Sequence, residues 1–431
     1  MLTIKEVPDR SLPQEDQLLI RFSWCCQKFR ECSYIGNEKT LPWLIREVDG
    51  LMSIFPDTVF VKGLRSLGLS ELAEDSRVVF FCFCELFATS PLEPSNASSF
   101  MSSQSEEAFE NGIEALLSQG LVLSVAVNDA GESKASKDNY LLSPETCGKL
   151  FRGRDELIRP TVISQFGSLI PWERINSKFL HFPDKLRDRL GLLSRAVSAD
   201  QFDQVVQALT DNGLRGGVTA LFYGPPGTGK TEFARQLALQ SHRDLLLVDS
   251  AKLDATYFGE KPRNFRDFFR MTRYAAAISI NVPIIFIDEA DGLLCRRVEA
   301  LKSADKEDNT TTNIFLEEMN SFAGILIAST NHIGNIDPAM LRRFLIRAEF
   351  PTPDRDTLAR IWQAKLPWLK PEEAGTLAER FPMSGGLIDN VVSLCFIEKI
   401  VDGKESSLDR ILRLCAEQGG RGRPSPIGFK S

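Results

Sequence analysis

No stretch of this sequence approaches the roughly 20 apolar residues that a bilayer-spanning helix requires, so no membrane-embedded role is expected. The opening MLTIKEVPDRSLPQEDQ lacks a basic start followed by an apolar run, and so does not read as a secretory leader. Histidine is scarce, with three residues, and the nine cysteines contain no C-x-x-C pair. Cys25, Cys26 and Cys32 cluster, as do Cys82 and Cys84, but no histidine stands near them to complete a zinc set. Reduced thiols in a cytoplasmic protein are the expectation. A surplus of positive charge is missing too. Lys and Arg number 51 against 58 Asp and Glu, a net charge of −7 with a pI near 5.4, so no global field recruits nucleic acid or anionic lipid.

What is present is the composition of a soluble globular protein. The 431 residues have room for about three domains, and 43% hydrophobic with 25% charged residues suffices for a proper core. Polar punctuation falls at SPLEPSNASSFMSSQS (90–105), at NDAGESKASKDN (128–139) and in the tail from Gln418. Between the first two, Phe109, Ile113, Leu116 and Leu117 recur at helical spacing and Gly120 ends the helix. Leu121–Val127 reads as a strand and Asn139–Leu142 as its return, with Val78–Phe87 as an earlier helix. This order resembles the wing half of a winged-helix domain. The helix that would enter a DNA groove, however, carries Glu106, Glu107, Glu110 and Glu114 and no cation, where phosphate contact needs the opposite sign. Only Lys134 and Lys137 at the hairpin tip favour DNA, so partner docking is preferred and nucleic acid disfavoured.

From Gly217 the pattern changes. Val218–Tyr223, Leu245–Val248, Pro283–Asp288 and Gly324–Thr330 are short apolar runs separated by helical segments, which predicts a parallel sheet covered on both faces. After Pro351 the chain reads as helical to about Cys415.

The first of these strands runs into Gly224-Pro225-Pro226-Gly227-Thr228-Gly229-Lys230-Thr231, which opens a helix. This is the G-x-x-x-x-G-K-[ST] phosphate loop in its required context. Its glycines let successive N–H groups face phosphate oxygens, and the helix adds its positive end. Lys230 brings a cation to the β- and γ-phosphates of ATP, and Thr231 offers a hydroxyl to Mg²⁺. The buried strand Ile284–Ile287 delivers Asp288 and Glu289 at its C-terminal end, where ligands sit in open parallel sheets. Asp288 suits the Mg²⁺ shell and Glu289 the attacking water. Adjacent carboxylates also cap helices, but beside a phosphate loop the catalytic reading is preferred.

GPPGTGKT, IIFIDEAD and IASTN, in this order and spacing, resemble an AAA-family ATPase module, over about Phe179 to Cys415. That resemblance implies several roles. Asn331 would be the polar sensor of the γ-phosphate or the water. Arg342 and Arg343, at a spacing similar to spastin-like and katanin-like relatives, would be arginine fingers reaching a neighbouring subunit, with surface salt bridges as the alternative. Tyr257 and Phe258 would face a central pore and grip an extended polypeptide, with plugging of the core as the alternative. Arg296–Thr312 would be a second pore loop or a solvated loop. Glu232 and Gly386 join the nucleotide-binding set, and His181 and Phe182 would flank the base. The lid departs from the family's glycine-alanine-acid, reading Ser384-Gly385-Gly386-Leu387-Ile388-Asp389 without arginine.

The expected architecture is an α/β phosphate-loop AAA+ core of parallel strands with a C-terminal helical lid, preceded by a mainly helical, winged-helix-like domain. Its boundaries are a helical region 1–160, a connecting segment 161–210, the core 211–352, the lid 353–417 and a tail 418–431. The expected function is Mg-dependent ATP hydrolysis by a ring, a hexameric homo-oligomer by resemblance, that remodels or threads a protein. The alternatives are a nucleotide-driven loader on DNA and, disfavoured by the retained Lys230, Asp288, Glu289 and Asn331, a degraded ATPase kept as a structural ring.

Overall fold

The computed structural model describes residues 11–33, 40–90, 106–125, 139–157, 166–178, 180–253, 260–294 and 303–418. The chain divides into two compact units, one formed by Met1–Gln165 with Asp267–Val282, the other by Phe166–Arg266 with Pro283–Ser431.

The first unit begins with five helices, α1 (Gln14–Ser33), α2 (Thr40–Ile54), α3 (Val59–Ser66), α4 (Glu74–Thr89) and α5 (Glu106–Ser118). A strand pair, β1 (Val122–Val125) and β2 (Asn139–Leu142), and then α6 (Pro144–Phe151) follow. The centre of this unit is α4, because its sequence is apolar on every side and every residue from Val78 to Cys84 is buried. Glu74 and Asp75 in its first turn face the positive end of the helix dipole. Glu15 performs the same service for α3, accepting from the N–H groups of Val59 and Phe60 at 2.9 and 3.0 Å. A chain of rings fills the core: Phe22 on Phe60 (4.9 Å), Phe60 on Phe151 (5.5 Å) and Phe151 on Phe87 (5.1 Å).

That chain continues onto Tyr274, whose ring stacks on Phe87 at 5.9 Å and whose hydroxyl donates to the Leu142 carbonyl. Burial raises the phenol well above its ordinary pKa, so it stays a donor. The unit therefore takes in residues 267–282, which a linear boundary at 160 leaves outside. The order helix, strand, strand expected at 109–142 is present, with β1 antiparallel to β2 in the register Val122↔Leu142. Lys134 and Lys137 lie outside the described residues.

The second unit holds a six-stranded sheet in the order β3-β5-β6-β7-β4-β8. The strands are β3 (Gly167–Ile170), β4 (Val218–Tyr223), β5 (Leu245–Val248), β6 (Ile284–Ile287), β7 (Ile325–Thr330) and β8 (Ile346–Glu349). All pairings are parallel except β3 with β5. The sheet is thus mixed rather than purely parallel, and its antiparallel edge comes from the segment expected only to connect. Strands β6 and β7 are buried at every residue, which explains their unbroken apolar sequences.

Helices α7 (Asp184–Ala196), α8 (Phe202–Asp211), α9 (Lys230–Ser241), α10 (Ser250–Leu253), α11 (Glu260–Ile278), α12 (Ser303–Ser321) and α13 (Pro338–Leu341) surround or join the strands. The unit boundary falls within α11. The polar stretch expected as a loop over 296–312 is helical from Ser303 onward, and Thr311 and Thr312 are buried. After Pro351 the helices α14 (Arg355–Lys365), α15 (Pro371–Arg380), α16 (Gly385–Asp402) and α17 (Leu408–Glu417) close on their own core of Trp362, Leu377, Phe381, Ile388, Val391 and Leu414. Asp354 and Ser407 cap α14 and α17, and Pro371 starts α15 at its first position. Among the described residues no helix is long and apolar enough to cross a membrane.

Candidate functional site

Strand β4 ends at the open side of the sheet, and the loop Gly224–Gly229 turns from it into α9. Two glycines make that turn possible. Gly224 has φ +143°, and a β-carbon there would lie 2.1 Å from the Phe350 carbonyl oxygen. Gly227 has φ +74°, and its β-carbon would meet the Ser384 hydroxyl at 2.6 Å. Only glycine combines these dihedrals with such close approach. Beneath the loop, Phe182 packs edge-on against Phe233 (5.8 Å) and Phe350 (5.4 Å).

Lys230, the first residue of α9, is buried, and its ammonium donates to the carbonyls of Gly224 (2.7 Å) and Pro225 (2.9 Å) and to Asn331 Oδ1 (2.8 Å). Burial lowers its pKa, while Asp288, Asp291 and Glu289 oppose that shift. The lysine is thus tied to the loop and to the end of β7 together, as the motif and the strand order require.

Thr231 donates to Asp288 Oδ2 at 2.8 Å. A hydroxyl and a carboxylate side by side are hard oxygen donors, the chemistry that Mg²⁺ selects. Among the described residues no group of three His, Cys, Asp or Glu side chains could hold a metal. A magnesium ion at this pair would therefore draw its remaining oxygens from phosphate and water, as such ions do. The residues fit the group.

Glu289 follows at the end of β6 in the left-handed conformation (φ 49°, ψ 49°), one of only two non-glycine residues with positive φ among those described. Its N–H is held by Asp288 Oδ1 (3.1 Å) and Ser329 Oγ (3.2 Å). Backbone strain of this kind persists where surrounding bonds over-determine it, and it concentrates at functional sites.

These side chains share one cavity of about 340 Å³, lined by Lys230, Thr231, Asp288, Glu289 and Asn331 from the sheet side and by Gly385 and Gly386 from α16. Pro226, Gly227, Thr228, Gly229 and Glu232 also line it, whereas Gly224 and Pro225 meet Lys230 from behind. The Glu232 carboxylate is engaged by Lys178 (2.9 Å) and by the Gln236 amide (3.0 Å). It anchors the segment before α7. His181 and Phe182 line the cavity, and His181 sits 3.3 Å from Arg360 of α14.

Arg342 ends α13 and is exposed; Arg343 is half-buried. Neither lines the cavity of its own chain. Tyr257 and Phe258 lie outside the described residues. Sequence reasoning missed Lys365 and named Asp389 only within the lid segment, without a role; the two line the cavity and pair with each other, a pairing that charges on two separate helices do not announce. Ser329 stood inside IASTN without a role, although a serine in an apolar strand two residues before Asn331 was a signal, and it is buried.

Residues 220–352 match the family described as ATPase family associated with various cellular activities (AAA). Over 223 residues the chain is 32% identical to the 26S proteasome regulatory subunit 6A of Saccharomyces cerevisiae, which covers 48% of each protein. Over 141 residues it is 39% identical to a 26S proteasome regulatory subunit 6B homolog of Encephalitozoon cuniculi, covering 31% of this chain and 35% of that one. Over 184 residues it is 33% identical to the 26S proteasome regulatory subunit 8 of Caenorhabditis elegans, covering 41% and 42%. The chain spans about half the length or less of these relatives.

Proposed function

We propose, on the premise that residues 220–352 are an AAA ATPase domain, that this protein hydrolyses Mg·ATP and spends the energy on remodelling or threading a protein substrate. The observation that carries the reading is the convergence of Lys230, Thr231 with Asp288, Glu289 and Asn331 on one cavity at the C-terminal ends of parallel strands. The loop amides and Lys230 would take the phosphates, with the ammonium exchanging the Gly224 and Pro225 carbonyls for phosphate oxygens. Thr231 and Asp288 would hold Mg²⁺, which supplies positive charge to the phosphate oxygens. Glu289, fixed at the cavity edge, orients and polarises the attacking water, and Asn331 holds the other side of the terminal phosphate.

Arg342 and Arg343 stand away from their own cavity, and this supports a ring in which they serve the next subunit's ATP. We take the ring to be built of this chain alone, and hexameric. Its relatives are named as regulatory subunits of a proteasome, which favours a polypeptide as the object of the work. Tyr257 and Phe258 are the residues we assign to gripping it. The first unit would select it, and the exposed Glu114 on α5 argues against DNA there. Cys25, Cys26, Cys82, Cys84, Cys147, Cys395 and Cys415 are buried thiols, which suits the reducing cytoplasm.

The test is the full-length Glu289→Gln protein. It should bind ATP, turn it over 10²- to 10⁴-fold more slowly, about the range of a lost general base, and trap client protein in pull-downs. Undiminished turnover removes Glu289 from its role. Salt-sensitive capture of DNA by the full chain in place of protein would favour a loader.

A further inference from the structure

We infer that Ser329 is a positioning residue for the hydrolytic pair, setting the orientation of the Asp288 carboxylate and the backbone of Glu289 together. The inference rests on the ATPase reading above and adds a residue to it. Ser329 lies on β7, two residues before Asn331, and is 1% exposed. Strands β6 and β7 pair in the register Ile287↔Ala328, so the next step along both strands sets Asp288 opposite Ser329.

The serine hydroxyl uses both of its capacities there. It donates to Asp288 Oδ1 at 2.5 Å and accepts from the Glu289 N–H at 3.2 Å. Asp288 is thereby held at both oxygens, Oδ1 by Ser329 together with the Glu289 N–H (3.1 Å) and Oδ2 by Thr231 at 2.8 Å. Held at Oδ1 only by the longer bond from its neighbour's N–H, the carboxylate would turn more freely about its Cβ–Cγ bond. Fixed at both, it keeps one oxygen directed toward Thr231, where a divalent ion would share it. The bond from Glu289 N–H also supports the left-handed backbone that carries the Glu289 side chain to the cavity. One hydroxyl therefore couples the aim of two carboxylates.

Neither function calls for a serine as a fold element. The position is a buried strand residue flanked by Ala328 and Thr330, and an alanine would fill it with the strand pairing unchanged. The same strand shows how the neighbouring hydroxyl is used: Thr330 donates to Asp291 and accepts from the His332 N–H at 2.9 Å. Ser329 serves the adjacent carboxylate in the same manner. Partners of this outer kind orient a metal ligand, and their loss typically costs about 10- to 100-fold in metal affinity or activity.

The experiment compares wild type, Ser329→Ala and Ser329→Thr as full-length proteins. It measures metal-free ATP-analogue binding, Mn²⁺ affinity by electron paramagnetic resonance with a non-hydrolysable analogue present, and steady-state hydrolysis. Ser329→Ala should bind the metal-free analogue within about twofold of wild type. Its Mn²⁺ affinity should fall about 10-fold and its kcat about 10- to 100-fold, with KM for ATP little changed. Ser329→Thr, which keeps the hydroxyl, should recover most of both. Wild-type Mn²⁺ affinity and kcat in Ser329→Ala would overturn the assignment. So would a parallel loss of analogue binding and thermal stability without rescue by threonine, which marks a residue that only holds the strand. A wild type that neither binds nor hydrolyses ATP would instead remove the ATPase reading, and this assignment with it.

Discussion

Replacing Glu289 by glycine should leave the protein more stable than replacing it by alanine, while both changes abolish turnover. Glu289 sits at φ 49°, ψ 49°, where the β-carbon of an L-residue crowds its own carbonyl. That conformation costs a non-glycine residue roughly 1–2 kcal/mol. Glycine carries no such cost but gives the unfolded chain more freedom, worth about 0.4–1 kcal/mol in the other direction. The net gain relative to alanine at the same position is about 0.8 kcal/mol, the middle of a range of about 0–1.6 kcal/mol. Alanine is the right reference because both variants delete the carboxylate, so any relief of repulsion with Asp288 and Asp291 cancels between them. In a unit of this size 1 kcal/mol moves the melting temperature by about 2–4 °C, so Glu289→Gly should melt about 1–4 °C above Glu289→Ala. The assay is paired thermal and urea unfolding without nucleotide, alongside ATP hydrolysis, which should be lost equally in both. A glycine variant no more stable than the alanine variant would refute the claim that this backbone stores strain. His242, the other such residue at φ 52°, ends α9 away from the cavity, and His242→Gly should leave hydrolysis intact.

Lys230→Ala should weaken ATP binding about 100-fold or more, since a charge-assisted contact of 1.5–3 kcal/mol is lost at each phosphate it serves; calorimetric titration measures this. Gly224→Ala should cost about 2–4 kcal/mol, from its forbidden dihedral and the disturbed Phe350 N–H to Tyr223 carbonyl bond (2.7 Å), and urea titration reads the loss. Tyr274→Phe should cost about 1–3 kcal/mol by leaving the Leu142 carbonyl without its donor, whereas Tyr274→Ala should cost about 3–5, with ATP binding retained in both. Burial pushes the Cys25 thiol up to about 11 and Cys415 to about 12. Their thiolate fractions at pH 8 are then on the order of 10⁻³ and 10⁻⁴, and a disulfide reagent should modify them only after unfolding.

The site was legible wherever its chemistry is local in sequence. The phosphate loop, its strand and its helix are contiguous, so Lys230 and Thr231 could be placed from spacing alone, and Asp288 and Glu289 from an apolar strand ending in two acids. Elements set by pairing were not legible. Strand β3 is four residues long and begins at Gly167, too short for a period, and becomes a strand only because β5 lies beside it. Strand β8 alternates Ile346, Arg347, Ala348, Glu349 on the sheet edge, and its two charges hid it. The bridge from Ser329 to Asp288 needed the order of β6 and β7, which no local pattern states. The lid's own core was readable as helices, but the pairing of Lys365 with Asp389 depends on how those helices cross.

The allocation of residues 267–282 to the first unit bears on how the protein is made. Translation delivers Phe87, Leu142 and Phe151 early, but Tyr274 emerges on the order of a hundred residues later, after the phosphate loop and α9. Until then the nascent first unit keeps an uncovered aromatic surface, the kind of surface that chaperones hold. A ribosome stalled between residues 165 and 267 should therefore carry a protease-sensitive nascent chain, and one stalled well beyond 282 a resistant one.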